Sequence, residues 1–322
     1  MHRTRAYKDG LLVGEDFPFD DVSEFLESDD CMIWVDIVSP TKADLDKLGD
    51  EMNLHELAVE DALHPGQRPK LDRYENFLFT VLYDVGFDEE TGDLTSREVK
   101  AFITRRALVT IHDDDFDIDR VKRTWDDNKD LAAKGVAFLV WGLLDRIVDN
   151  QYDATSALDD AIDGLEENLF DAKQQTMEIQ KRSFALRKSL VTLRRLVNPM
   201  REILNTLLRR DDTKFAPDMG PYFQDVYDHV LRVIEQTDSL RDLVSTILDT
   251  NLSIQSNRMN LVMKKVTSWA AIIAVPTAIT GFFGQNVPFP GFSNESGFIV
   301  SSVSIVAGGF ILYLSFKKRD WL

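Results

Sequence analysis

Lys264-Lys-Val-Thr-Ser-Trp-Ala-Ala-Ile-Ile-Ala-Val-Pro-Thr-Ala-Ile-Thr-Gly-Phe-Phe-Gly-Gln-Asn286 is followed, after a short loop, by Ser296-Gly-Phe-Ile-Val-Ser-Ser-Val-Ser-Ile-Val-Ala-Gly-Gly-Phe-Ile-Leu-Tyr-Leu-Ser-Phe316. Between Val266 and Phe316 the only charged side chain is Glu295. Each run is long enough to cross about 30 Å of hydrocarbon, for which roughly 20 helical residues suffice. Between them, Gly284, Pro288, Pro290 and Gly291 interrupt any helix. Lys264 and Lys265 precede the first run, and Lys317, Lys318 and Arg319 follow the second. The excess of basic residues on cytoplasmic flanks therefore predicts both outer ends inside and the loop outside. The expected parts are a first span at 266–286, an external loop at 287–297, a second span at 298–316 and a basic tail at 317–322. A buried hairpin of a soluble core is the alternative, but such hairpins rarely run this far without charge.

Outward from the hairpin the character reverses. The 322 residues carry 37 basic and 55 acidic side chains, a net charge of −18, and nearly all of it precedes residue 266. Nothing offers the basic face that nucleic-acid phosphates require, so no nucleic-acid partner is expected. Cys31 is the only cysteine, which excludes an intrachain disulfide and a cysteine-based zinc cluster. The N-terminal residues have charge but no apolar core behind them, unlike a secretory signal. A two-span protein of the plasma (inner) membrane with cytoplasmic termini is expected.

Residues 1–115 read as an α/β domain. Strands are predicted at Met32–Val38, Phe77–Tyr83, Val99–Ile103 and Leu108–Ile111, all β-branched or aromatic in character. Thr41 followed by Asp44, and Asn53 followed by Glu56, read as helix N-caps with an acid at the third helical position. From 116 to 220 the apolar spacing is helical, over Asp119–Lys134, Val136–Phe170 and Ala172–Arg210. Between Asp149 and Asp171 every charge is acidic, whereas Lys173 to Arg210 is mainly basic, so these two helices either pair by charge or solvate separate faces. From Tyr222 to Phe283 only Pro276 and Gly281 interrupt a helical reading. A single helix is therefore expected to run from a stalk at 221–265 into the first span. Pro276 is tolerable within a bilayer where neighbouring groups satisfy the freed carbonyl.

Steps of three and four from Asn260 pass through Met263, Thr267, Ala270, Ala274, Thr277, Gly281 and Gly284. Beyond Met263 every member is small, while Val266, Trp269, Ile272, Ile273, Val275, Ile279, Phe282 and Phe283 are bulky. Small residues serve close helix packing. They also suit a narrow pore, a reading supported by the loop amides Gln285 and Asn286 at the end of the stripe. His55, His64, His112 and His229 lack metal-ligand spacing and read as structural. No nucleophilic triad, paired catalytic carboxylates or nucleotide loop stands out, so no enzyme and no catalytic cofactor are expected.

Gly284-Gln285-Asn286 at the outer end of the first span resembles the Gly-Met-Asn signature of the CorA family of divalent-cation transporters, with glutamine where the family has methionine. Further similar segments are Tyr222-Phe-Gln-Asp-Val-Tyr-Asp-His229, Arg241-Asp-Leu-Val-Ser245, Met263-Lys264, Phe316-Lys-Lys-Arg-Asp-Trp-Leu322, and Glu60-Asp61-Ala-Leu-His64 with Gln67-Arg-Pro-Lys70. The following Val287-Pro-Phe-Pro-Gly291 departs from the aromatic and Met-Pro-Glu segment usual in the family. The resemblance implies a homopentamer with a cytosolic α/β domain, a funnel of long helices and a pore formed by the first span of each copy. It implies transport of Mg²⁺, with Co²⁺ or Ni²⁺ as further substrates and Zn²⁺ transport of the ZntB type as an alternative; the glutamine and the altered loop add a second alternative, a non-conducting paralogue. It also implies that cytosolic carboxylates shared between subunits bind the ion and hold the channel closed. The matching positions are Asp61 and Asp249, with Glu60 and Asp225 as a second pair.

Overall fold

The computed structural model describes all residues but 1, 27, 29, 170–175, 209–216, 289 and 293, and all of their side chains but those at 20, 23, 176 and 217. Two compact units divide between Ile247 and Leu248.

In the first unit, seven strands among the described residues form one sheet in the order β2-β1-β3-β7-β6-β5-β4. They are β1 His2–Lys8, β2 Leu11–Glu15, β3 Cys31–Val38, β4 Lys70–Arg73, β5 Phe77–Phe87, β6 Leu94–Thr104 and β7 Ala107–His112. All neighbours are antiparallel except β3 and β7, which run parallel with Ile33 opposite Ala107. The four strands expected from the sequence are present; β1, β2 and β4 were not anticipated. Charge hides β1 and β4, whose segments His2-Arg-Thr-Arg-Ala-Tyr-Lys8 and Lys70-Leu-Asp-Arg73 lack the apolar run of a strand. Arg5 sits in the middle of β1 with its side chain 5% exposed, because it binds Glu15 at 2.9 Å and both carboxylate oxygens of Asp126 at 3.0 and 3.2 Å. Paired in this way, a guanidinium can be buried where an unpaired one could not.

β3 is buried on both faces, as expected of an inner strand. On one face Ile33, Val35 and Ile37 join Phe79, Val81, Phe102 and Val109 beneath α2 (Lys42–Met52) and α3 (Glu56–Leu63), which add Leu45, Leu48, Ala58 and Val59. On the other, Trp34 meets Trp125 of α4 (Ile118–Asp127) edge-on at 4.9 Å, and α5 (Val136–Leu169) lies along β5. The short α1 (Val22–Leu26) packs on β3.

The capping box at Thr41 and Asp44 is present. Asn53 is a correction. It closes α2 in the left-handed conformation, φ 51°, a role its short polar side chain permits, and His55 caps α3 by accepting from the Leu57 N–H at 3.2 Å. The helix expected from Ala172 to Arg210 is likewise corrected to two, α6 (Thr176–Val197) and α7 (Met200–Leu208), separated at Pro199, which lacks an N–H and clashes with the preceding turn. Asp119–Lys134 divides into α4 and a 3-10 segment, Lys129–Lys134.

Among the described residues no ion pair joins α5 to α6, which lie against each other with Leu158, Ile162, Leu165, Leu186, Leu190 and Leu193 buried. Three cations of α6 turn elsewhere: Lys188 to Asp93 at 3.5 Å, Arg194 to Asp238 at 2.7 Å, and Arg182 to the Glu89 and Glu90 carbonyls. Exposed pairs are worth only about 0–1 kcal/mol, so apolar burial decides the packing. Asp171, Lys173, Arg209 and Arg210 lie outside the described residues.

α8 (Gly220–Phe283) is continuous over 64 residues with Pro276 inside it, and α9 (Glu295–Lys318) follows. Both are long and apolar enough to cross a membrane.

Candidate functional site

Within the second unit, α9 covers one side of α8. A side chain added at Gly308 would touch Val275 and Ile279 at 3.5 and 3.7 Å, and one at Gly309 would touch Pro276 at 3.8 Å. Ser268 is fully buried, and Ile272, Pro276, Ile279 and Phe283 are half-buried. At roughly 100° per residue, this face lies opposite the small-residue stripe. Asn260, Met263, Thr267, Ala270, Ala274, Thr277, Gly281 and Gly284 are all exposed on the single chain. The glycines of α9 thus allow close contact on the bulky side and leave the small side open.

Along the stripe, the Thr277 hydroxyl donates to the Ile273 carbonyl at 2.8 Å, which leaves its oxygen lone pairs outward as acceptors. Thr280 similarly donates to the Pro276 carbonyl at 2.8 Å. The helix ends at Phe283, and the Gly284 N–H still reaches the Thr280 carbonyl at 2.9 Å. A side chain at position 284 would lie 3.0 Å from that carbonyl oxygen, a tight approach. Gln285 and Asn286 then leave the helix with exposed amides. Across the loop, Gly291 takes a φ of +95°, and a side chain at Gly297 would come within 2.4 Å of its carbonyl oxygen, so both positions need glycine. At the other end, Asn257, Asn260, Leu261, Met263, Lys264, Thr267 and Trp321 line an open groove of about 610 Å³. Trp321 is held there by stacking on Phe316 and by its N–H bond to the Phe316 carbonyl at 3.0 Å.

The four expected carboxylates are carried by α3 and α8. Glu60 and Asp61 lie near the C-terminal end of α3. Lys100 clamps that end, its buried ammonium donating to the carbonyls of Ala62 at 3.0 Å and His64 at 2.7 Å. Burial pulls the Lys100 pKa down. Asp61 binds Lys70 at 2.6 Å, and the ammonium holds its carboxyl below the usual carboxylate range. Asp249 is exposed on α8, its carbonyl accepting from Ser253 at 2.9 Å. Asp225, also on α8, belongs to a group the sequence did not reveal, with Asp145 and Asp149 of α5 and His229. Burial and then the neighbouring charges of Asp149 and Asp225 push the Asp145 carboxyl up to about 6. No spacing motif marks this group, since its members come from two helices far apart in the chain. Among the described residues, no group of three or more His, Cys, Asp or Glu side chains is placed to hold a metal ion.

A family model described as CorA-like Mg²⁺ transporter protein matches residues 29–318. The chain is 31% identical over 295 residues to the cobalt/magnesium transport protein CorA of Thermotoga maritima, spanning 90% of this chain and 83% of that protein. It is also 31% identical over 257 residues to the putative metal ion transporter YfjQ of Bacillus subtilis, spanning 80% and 79%. In fold it matches the complete structure of the CorA magnesium transporter from Methanocaldococcus jannaschii with a TM-score of 0.80, at 23% identity and over 100% and 99% of the two chains.

Proposed function

Since this membrane protein belongs to the CorA-like Mg²⁺ transporter family, we propose that it conducts divalent cations, Mg²⁺ foremost and Co²⁺ or Ni²⁺ as further substrates, into the cytoplasm as a homopentamer. One observation carries this reading. The small, partly hydroxylated face of α8 is exposed on one chain while α9 covers the opposite face, so several copies can bring that face to a common axis.

Mg²⁺ prefers oxygen ligands and sheds its water reluctantly. A stripe without carboxylates suits a hydrated ion, because amide, hydroxyl and carbonyl oxygens accept hydrogen bonds from its water shell. Gly284 and Asn286 would form the outer mouth, with rings at Thr277 and Asn260 further in and Gln285 beside the entrance. A dication moving inward gains about 4.6 kcal/mol per 100 mV of membrane potential, sufficient to drive uptake without ATP.

Asp61, Asp249, Glu60 and Asp225 are proposed as regulatory carboxylates. Among the described residues no three such side chains come together to hold an ion, so these acids are assigned as contributors to a set that a neighbouring copy completes.

Purified protein in liposomes is the test. Mg²⁺, Co²⁺ and Ni²⁺ should enter without a proton gradient, and Asn286→Ala should lower Mg²⁺ flux at least tenfold in a protein that still assembles. Undiminished flux in that variant removes Asn286 from the mouth. Zn²⁺ flux that depends on a proton gradient would replace the whole reading.

A further inference from the structure

The residue that faces Asp61 in this chain is a cation already. Lys70 opens β4, where its carbonyl accepts from Thr80 Oγ1 at 3.0 Å and its backbone pairs with Val81. Its ammonium lies 2.6 Å from Asp61 Oδ2 and 2.6 Å from Asp72 Oδ2, and 5.5 Å above the Phe79 ring. Only 24% of the lysine side chain is exposed. Burial opposes the charge, but the two carboxylates outweigh it and raise the Lys70 pKa above its ordinary 10.5.

The other partner is equally fixed. Gln67 Nε2 donates to the Asp61 carbonyl at 2.9 Å, and the Gly66 and Gln67 N–H groups donate to Glu98 at 2.8 and 3.2 Å. Tyr83 donates to the Gln67 carbonyl, and Lys100 clamps the end of α3. These bonds hold the backbone on both sides of the pair, so only the two side chains are ordered when it forms. A divalent ion approaching Asp61 meets an oxygen that is already engaged.

We propose that Lys70 is the resident counter-cation of Asp61, a tethered ammonium that a divalent ion must displace and that therefore weakens divalent binding at this carboxylate. The proposal rests on the reading of Asp61 as a regulatory carboxylate. It makes Lys70 the residue that sets the concentration at which that carboxylate responds.

Isothermal titration of Mg²⁺ alone into the detergent-purified full chain tests it without measuring flux. Lys70→Gln and Lys70→Met should each tighten the apparent Kd at least tenfold, and Lys70→Arg, which keeps the charge, should stay within about twofold of the parent. Asp61→Asn should weaken binding, and in the Asp61→Asn/Lys70→Gln pair the gain should vanish. If both neutral variants bind like the parent while Asp61→Asn weakens binding, Lys70 is no competitor and only this proposal fails. A gain that survives in the double variant assigns the effect to Asp72 and also overturns it. Should Asp61→Asn change nothing in either background, the reading of Asp61 itself is lost. If both neutral variants fail to assemble, a Lys70→Arg chain that binds tenfold more tightly than the parent overturns the proposal just as well.

Discussion

At the scale of single residues, His112 shows how burial and bonding together set a charge. Its Nδ1 faces the Asp113 carbonyl at 2.8 Å and its Nε2 faces Asp36 Oδ1 at 3.0 Å. Both neighbours are acceptors, so the ring donates from both nitrogens, which only the imidazolium can do. Thr110 adds a bond to the same carboxylate oxygen at 2.6 Å and accepts from the Trp34 indole at 3.0 Å. Burial works against the charge, but the bond to Asp36 and the carboxylate's charge outweigh it and raise the His112 pKa above 6.5. A histidine whose folded pKa is raised stabilises fully below its unfolded value and loses that contribution as pH climbs through the folded one. His112→Gln should therefore lower the Tm most at pH 6 and progressively less at pH 8 and 9, as followed by thermal unfolding in detergent. A deficit that grows with pH would contradict the charged pair. The sequence marked His112 as structural; its partner, 76 positions away on the neighbouring parallel strand, was invisible there.

Between elements, close approaches are set by what a position lacks. A side chain at Gly142 of α5 would stand 2.4 Å from the Trp125 indole nitrogen, whose N–H donates to the Leu139 carbonyl at 3.1 Å. The ring is 1% exposed and has nowhere to go. Gly142→Ala should cost about 1–3 kcal/mol through overpacking, and it should shift the near-ultraviolet circular dichroism of tryptophan. An unchanged Tm would mean that α4 can slide away from α5 freely. The helical spacing of α5 was plain in the sequence, whereas the reason for its glycine was not, because the indole that fills the gap belongs to another helix. Pro199 is the converse case: it is visible in the sequence, and apolar spacing on both sides of it masked the break between α6 and α7.

For the molecule as a whole, the question is which face of α8 meets its copies. Cys31 is the only cysteine and is buried, so a single introduced thiol reports cleanly. Ala274→Cys should form disulfide-linked dimers on mild oxidation in membranes, while Ile279→Cys, on the side covered by α9, should not. The reverse pattern would turn the small face away from the axis and remove the proposed pathway. The net charge of −18 suits the same reading, since an acidic body enriches cations around it and repels anionic ligands.

What the sequence determined by itself was written in uninterrupted runs: two apolar spans, their basic flanks, one long helix and four inner strands. Hydropathy, charge bias and periodicity are local properties, and a window of some 20 residues holds them complete. Tertiary structure alone decided the partnerships, with Lys70 against Asp61 and Asp72, Asp225 among Asp145, Asp149 and His229, and Arg5 making a strand of a charged segment. Those outcomes depend on which charged groups, distant in the chain, the fold brings within reach of one another, and no linear pattern carries that information.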